Sequence, residues 1–431
     1  MSGLAPSLIA PARKAAFELL LELKSNPESH SDLLLRSHRV DALSSVDKNL
    51  TTALVMGVLR WQLVLEQRIR EALTKKNHQA DAVEVSLELG LFQLLLMDRI
   101  PARAAIFDSV ELVKQSGNEY AVGLVNAVLR KLAQAPKLNA DDASRAHPSW
   151  MVERWVSAYG QQTAEAICRY DQQPPPLTIR SSGAIKPGEL EPGKFVVGAR
   201  RVVGGEVNEA RIQDEGSQLI AELAGRGGLI LDCCAAPGGK TLILAERNPA
   251  ALITACDINS ARLKAMQRIL PGIRYRVRDA TDLPWERKFD LVLCDAPCSG
   301  TGTLARNPEI RHRVTMEDLH RQHKRQVGIL CSAMRATQEG GRVIYSTCSL
   351  EAEENETVVA EALEREKGFE ILPWHPQVES LETEGILHPG TADKLFPPGS
   401  VDEFLRTFPG QYAGDGFFAA CLVRNPSRQQ S

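Results

Sequence analysis

No Cys-x-x-Cys pair occurs among the nine cysteines of this 431-residue chain, and its nine histidines do not fall at ligand spacing near them. A structural zinc site is therefore not expected, and no metal is assigned. An odd number of cysteines in so long a chain is no disulfide framework, which points to a reducing cytoplasm. No apolar run approaches the length that spans a bilayer. The first fourteen residues lack an apolar core of signal-peptide length, so export and membrane attachment are not expected. The net charge of −3 is also far from the positive balance that advertises nucleic-acid binding. What remains is the composition of a soluble globular protein, long enough for two or three domains.

The pattern along the chain changes rhythm twice. Residues 1–140 read as an all-α domain. Pro11 opens a stretch with Ala16, Leu19, Leu20 and Leu23 on one face, and Ser45 is placed to cap a helix carrying Leu50, Leu54, Val58 and Trp61. Val85 to Met97 is apolar enough to be a central helix, with Pro101 just beyond it. Leu124, Val125, Val128, Leu129 and Leu132 mark another. Residues 141–212 read as a linker, one helix over Met151 to Tyr170, and a small β-containing connector after Pro174-Pro175-Pro176. From 213 to 427 strands alternate with helices, the mark of an α/β doubly wound, Rossmann-like sheet of about seven strands.

In that third region Leu229 to Cys234 reads as a strand and Gly238-Gly239-Lys240-Thr241 as the turn that opens a helix. Such a turn offers free backbone N–H groups and close approach to a ligand. Asp257, at the end of the next strand, has the spacing that meets ribose hydroxyls, and Asp279 follows the third strand. Three ligands compete for this turn. The dinucleotide fingerprint Gly-x-Gly-x-x-Gly is missing from Cys234-Ala235-Ala236-Pro237-Gly238-Gly239. A phosphate-binding P-loop would need glycine where Cys234 stands, and Pro237 removes one of its N–H groups. S-adenosylmethionine, which has no phosphates, fits best of the three.

Two further runs end at cysteines: Asp295-Ala296-Pro297-Cys298-Ser299 and Tyr345-Ser346-Thr347-Cys348-Ser349. Both follow apolar strand-like segments, whose carboxyl ends open into the ligand crevice of a parallel sheet. Enzymes that methylate an exocyclic amine place an aromatic ring after their Asp/Asn-Pro-Pro motif, and none is present here. A thiol suits methylation of a pyrimidine carbon instead, because C5 becomes nucleophilic only after a thiolate adds at C6. Asp295 would hold the N3/N4 edge. The stretch from Arg306 to Arg325 is locally basic, and Arg306, Arg311 and Arg313 are its candidates for RNA phosphate contact.

The runs Cys233 to Thr241, Asp295 to Gly302, Thr347-Cys348-Ser349 and Asp415-Gly416-Phe417-Phe418 resemble those of the RNA cytosine-5 methyltransferases. The helical N-terminus is similar to the RNA-binding domain of the antitermination factor NusB. That combination resembles the bacterial Sun, Fmu or RsmB branch, which acts on 16S ribosomal RNA. The resemblance implies that Cys348 is the nucleophile, that Cys298 assists product release, and that Cys234, Ala235, Ala236, Pro237, Gly238, Gly239, Lys240, Asp257, Asp279 and Asp295 contact S-adenosylmethionine. It implies a ribosomal RNA partner, free or in a partial particle, and nothing demands more than a monomer. Residues 178–212 are shorter than the family's RNA-recognition-like subdomain, and Ile179-Arg180-Ser181-Ser182 lacks an asparagine often found there. Two other classes compete: a non-catalytic RNA-binding assembly factor with a relict cofactor fold, and a P-loop-like NTPase.

Overall fold

The structure is a computed structural model that describes residues 9–26, 29–73, 79–180, 189–204, 211–397, 399–411 and 414–426. It contains two compact units. The first comprises Met1–Pro174 together with Leu304–Arg313, and the second comprises Pro175–Thr303 with Val314–Ser431.

The first unit is helical: α1 (Pro11–Ser25), α2 (Ser31–Leu35), α3 (His38–Asp41), α4 (Ser45–Ala72), α5 (Asp81–Leu96), α6 (Ala102–Gln115), α7 (Val122–Leu132), α8 (Ser149–Tyr159) and α9 (Gln161–Asp171). Helix α5 is buried on nearly every face from Val83 to Leu95, and α1, α4, α6 and α7 pack around it. The helix-capping serine of α4 is Ser44 rather than Ser45, because the Ser44 side chain is the one that accepts from the Asp47 N–H. The single helix expected over 151–170 is two. Gly160 sits at φ +82°, in the left-handed region, and ends α8 before α9 begins.

A helix α13 (Ile310–Arg313) closes the segment 304–313, which belongs to this unit although it follows the Cys298 motif in sequence. Glu309 is buried and accepts from the backbone N–H and hydroxyl of Ser31. Arg311 is 1 % exposed and donates to the carbonyls of Arg60 and Ala146, while Arg60 donates to the Ala305 carbonyl. Burial pulls both guanidinium groups down to about 10. Arg313 is half-buried on the Ser29 carbonyl. Arg311 therefore cannot meet RNA phosphate as expected: it is a buried strut on backbone carbonyls. Arg306 is half-buried.

In the second unit β1 (Thr178–Arg180), β2 (Leu190–Pro192), β3 (Ala199–Val202) and β4 (Arg211–Ile212) form a small antiparallel sheet in the order β2-β3-β1-β4. Ser181 and Ser182 lie outside the described residues. Then follow α10 (Glu215–Ala224), β5 (Leu229–Asp232), α11 (Gly239–Arg247), β6 (Leu252–Asp257), α12 (Ser260–Ile269), β7 (Arg274–Val277), β8 (Phe289–Asp295), α14 (Met316–Ala336), β9 (Thr337–Thr347), α15 (Glu356–Arg365), β10 (Phe369–Leu372), α16 (His375–Thr383), α17 (Thr391–Leu395), β11 (Phe404–Thr407) and β12 (Phe417–Arg424). The large sheet runs β10-β12-β9-β8-β5-β6-β7, with β5 to β9 parallel. Strand β12 inserts antiparallel beside β9, and its far edge is shared by β11 and β10, so the sheet has eight strands. Its central strands are continuous apolar runs because helices cover both faces.

Candidate active site

Three adjacent parallel strands, β6, β5 and β8, each end in an aspartate at the carboxyl edge: Asp257, Asp232 and Asp295. This edge is where an open parallel sheet leaves room for ligands. Asp232 is buried and accepts from the Thr241 hydroxyl at 2.6 Å, which ties the end of β5 to α11. Burial, reinforced by the Asp295 charge, lifts its carboxyl to about 7 against the pull of Thr241. Its Oδ1 is buried with no hydrogen-bond partner. Asp257 accepts from the N–H of Ala236 at 3.1 Å and of Asn259 at 2.7 Å, so one carboxylate staples the loops after β5 and β6 together.

The loop from Cys234 to Lys240 lies over this edge. Gly238 has φ +104°, and a Cβ there would stand 2.8 Å from Met266 Cγ, so only glycine fits. Lys240 points to the next strand, where its ammonium meets Asp295 Oδ2 at 2.6 Å and lies 5.5 Å from the Phe417 ring centre. Burial works against that ammonium, but Asp295, with Cys348 and Asp232 adding, overcomes it and holds the lysine above its ordinary value. Asp295 Oδ1 accepts from the Ser346 hydroxyl. Asp279 is exposed, two residues beyond β7, and its carboxyl is held low by the N–H and hydroxyl of Thr281.

The two cysteines singled out above meet. Cys298 Sγ and Cys348 Sγ are 3.4 Å apart, both half-buried, on the loops that follow β8 and β9. The hydrogen bond between them, together with burial, raises the Cys298 thiol well above 9. A web of short bonds fixes these loops. The Gly302 N–H donates to the Cys348 carbonyl at 2.9 Å, and the Gly416 N–H, just before β12, donates to the Gly302 carbonyl at 2.7 Å. The Leu350 N–H donates to the Thr301 hydroxyl. Cys233, Cys256, Cys294 and Cys331 are buried in the core.

One contributor was not visible in the sequence. Glu354 is wholly buried and accepts from the Ser299 N–H at 2.8 Å, from the Ser299 hydroxyl and from the Gln326 amide. Burial lifts its carboxyl above the usual range despite those donors. It clamps the residue next to Cys298. In the sequence it belongs to Glu351 to Glu356, a run that reads as a solvated acidic face.

This donor set suits a cation. Asp257 and Asp295 stand at the strand ends, Asp232 between them is buried, and Lys240 is already matched to Asp295. A triphosphate would be repelled there, and Pro237 offers it no N–H. The sulfonium and ammonium of S-adenosylmethionine find compensating charge.

The comparisons with known proteins agree. Residues 223–423 match the family model for the 16S rRNA methyltransferase RsmB/F, residues 10–134 that of the NusB family, and residues 147–181 a ferredoxin-like domain of RsmF/B-like methyltransferases. The chain is 30 % identical to the probable ribosomal RNA small subunit methyltransferase B of Bacillus subtilis, over 96 % of this chain and 98 % of that protein. It is 32 % identical to ribosomal RNA small subunit methyltransferase B of Pseudomonas syringae, over 85 % and 90 % respectively. The crystal structure of PH0851 shares the fold, with a TM-score of 0.75 at 22 % identity, over 96 % of this chain and 99 % of that one. The chain belongs to the RsmB/F family of 16S rRNA methyltransferases, which are S-adenosylmethionine-dependent enzymes.

Proposed function

We propose that this protein methylates C5 of one cytidine in 16S ribosomal RNA through a transient bond between Cys348 and C6. The thiolate of Cys348 adds to C6, and the electron pair of the C5–C6 double bond moves to C5. S-adenosylmethionine supplies the methyl group as an electrophilic carbon on a sulfonium. C5 forms its bond to that carbon as the carbon–sulfur bond breaks. The C5 proton then leaves to a base, and the electron pair it releases restores the double bond and expels Cys348.

The residues divide this work. Asp295, held by Lys240 and Ser346, accepts from the N4 amine of the target ring and keeps C6 over sulfur. Cys234 to Lys240, with Asp257 and Asp279, position the methyl donor. Cys298, whose thiol is raised by its hydrogen bond to Cys348 and by burial, stands 3.4 Å from the nucleophile, where it can assist departure of the product. A ribosomal RNA substrate, free or in a partial particle, places the work in the cytoplasm. The chemistry needs neither a metal ion nor a second copy of the chain.

The observation that carries the reading is the 3.4 Å approach of two thiols at the carboxyl edge, beside the Lys240–Asp295 pair. Transfer of tritium from labelled S-adenosylmethionine to unmethylated 16S RNA tests it. The Cys348→Ala variant should show no transfer, and Cys298→Ala should accumulate a protein–RNA adduct stable to denaturant. Normal turnover by Cys348→Ala would remove the nucleophile from the scheme, and no transfer by the unaltered protein would favour a non-catalytic assembly factor.

A further inference from the structure

A target cytidine in a ribosomal strand has neighbours on both sides, each with a charged phosphate. This chain has a net charge of −3 and an acidic catalytic edge, so cations near that edge must guide the strand. One cavity of the second unit meets that need. It holds about 620 Å³ and is lined by Pro192, Gly193, Lys194, Phe195, His388 and Lys394, with Gln411. No carboxylate is among its lining residues. Its volume lies in the range of small-ligand sites, enough for a nucleotide.

The cavity is built rather than incidental. The buried Glu215 carboxylate, at the start of α10, accepts from the backbone N–H groups of Lys194, Phe195 and Val196, which fixes the turn between β2 and β3. That turn is stitched to the segment before α17: the Val197 N–H donates to the Ile386 carbonyl and the His388 N–H to the Phe195 carbonyl. Behind the lining residues, the Glu382 carboxylate of α16 accepts from the N–H groups of Gly390 and Ala392 and fixes the start of α17. His388 Nε2 is buried and has no hydrogen-bond partner. A polar atom left so is costly unless a ligand satisfies it. Lys194 and Lys394 are both exposed.

The turn that forms the cavity is tied toward the catalytic loops: Glu215, which binds it, follows Asp214, whose carboxylate the Asp415 N–H approaches, and the next residue, Gly416, donates to the Gly302 carbonyl. We propose that this cavity is a subsite for the RNA strand flanking the target cytidine, in which Lys194 and Lys394 neutralise backbone phosphate and His388 with Gln411 contact the adjoining nucleotide. The proposal rests on the reading of the protein as a ribosomal RNA cytosine methyltransferase.

The full-length Lys194→Ala/Lys394→Ala variant tests it, with unmethylated 16S RNA as substrate. Loss of two phosphate contacts on a single strand should lower the slope of log affinity against log salt by about 1.4. The KM for RNA should rise about tenfold with kcat unchanged, as expected when only uniform binding is lost. The control is Lys288→Ala/Lys367→Ala, the same charge change on exposed lysines at the amino ends of β8 and β10. An unchanged KM and salt slope in the cavity variant would overturn the proposal, as would equal shifts in the control. Inactivity of the unaltered protein on this RNA would instead strike the functional reading itself.

Discussion

Gly302 offers the sharpest test of the catalytic geometry, because it touches no ligand yet sits where three loops converge. A Cβ built there would overlap the Gly416 carbonyl oxygen and stand 2.9 Å from the carbonyl oxygen of Cys348. Neither obstacle is a flexible side chain. Both are backbone, and both residues are tied to Gly302 itself: the Cys348 carbonyl accepts from the Gly302 N–H at 2.9 Å, and the Gly416 N–H donates to the Gly302 carbonyl at 2.7 Å. In Gly302→Ala the loops after β8 and β9 and before β12 must therefore part by on the order of 1 Å, which costs about 1–3 kcal/mol as overpacking. A displacement of that size at reacting groups lowers turnover by about 10²-fold, since attack geometry tolerates little. The fold should survive, since the remaining strand ladders are untouched. Single-turnover methyl transfer at saturating RNA isolates the chemical step, and melting curves check the fold. A variant that is folded and fully active would refute the inference that this backbone junction sets the position of Cys348.

Three other outcomes follow from the structure. Lys240→Met leaves Asp295 with only the Ser346 hydroxyl, and kcat/KM for methyl transfer should fall by about 10²-fold while RNA affinity in a filter-binding assay is unchanged. Arg311→Met strips the donor from the buried carbonyls of Arg60 and Ala146 and should cost about 3 kcal/mol of stability in chemical denaturation. Glu88, on α5, is wholly buried beside Lys24, and burial lifts its carboxyl to about 8. The folded state thus holds this proton more tightly than the unfolded chain, so its stability contribution is full below about pH 4.5 and is lost as pH rises to about 8, with a ceiling near 5 kcal/mol. Glu88→Gln should flatten that part of the stability–pH curve, and an unaltered slope would contradict the assignment.

The sequence displayed what local physics controls. Strands β5, β6 and β8 were legible because a parallel sheet covered on both faces demands unbroken apolar runs, and their terminal aspartates stood out against them. Helix α5 was legible for the same reason. Helix α6 was not, because its buried face includes Asp108 and Ser109 beside Ala105, Leu112 and Val113, which weakens the apolar stripe. Strand β11 is only four residues long and pairs with β12 alone, so no periodicity could announce it. The 304–313 segment was misread for a deeper reason. Arginine and histidine at helical spacing describe a solvated face and a buried strut equally well, and only the distant carbonyls of Arg60 and Ala146 decide between them. Glu354 hid likewise, since its partners lie far off in sequence, Ser299 on the loop after β8 and Gln326 on α14.

A single electrostatic constraint ties these corrections together. On the proposed mechanism, Asp257 and Asp295 at the strand ends compensate a positively charged methyl donor, but the same field repels a polyanion. The proposed mechanism brings ribosomal RNA within bonding distance of Cys348 against that repulsion, so attraction has to be supplied outside the acidic edge. The arginine segment after Cys298 would have been the economical source, and its burial removes Arg311 from that role. What the second unit offers instead is the cavity of Lys194 and Lys394, free of carboxylates on its lining. The separation is useful chemically: phosphate is neutralised away from the reacting carbon, and the Lys240 ammonium at the catalytic edge stays committed to Asp295.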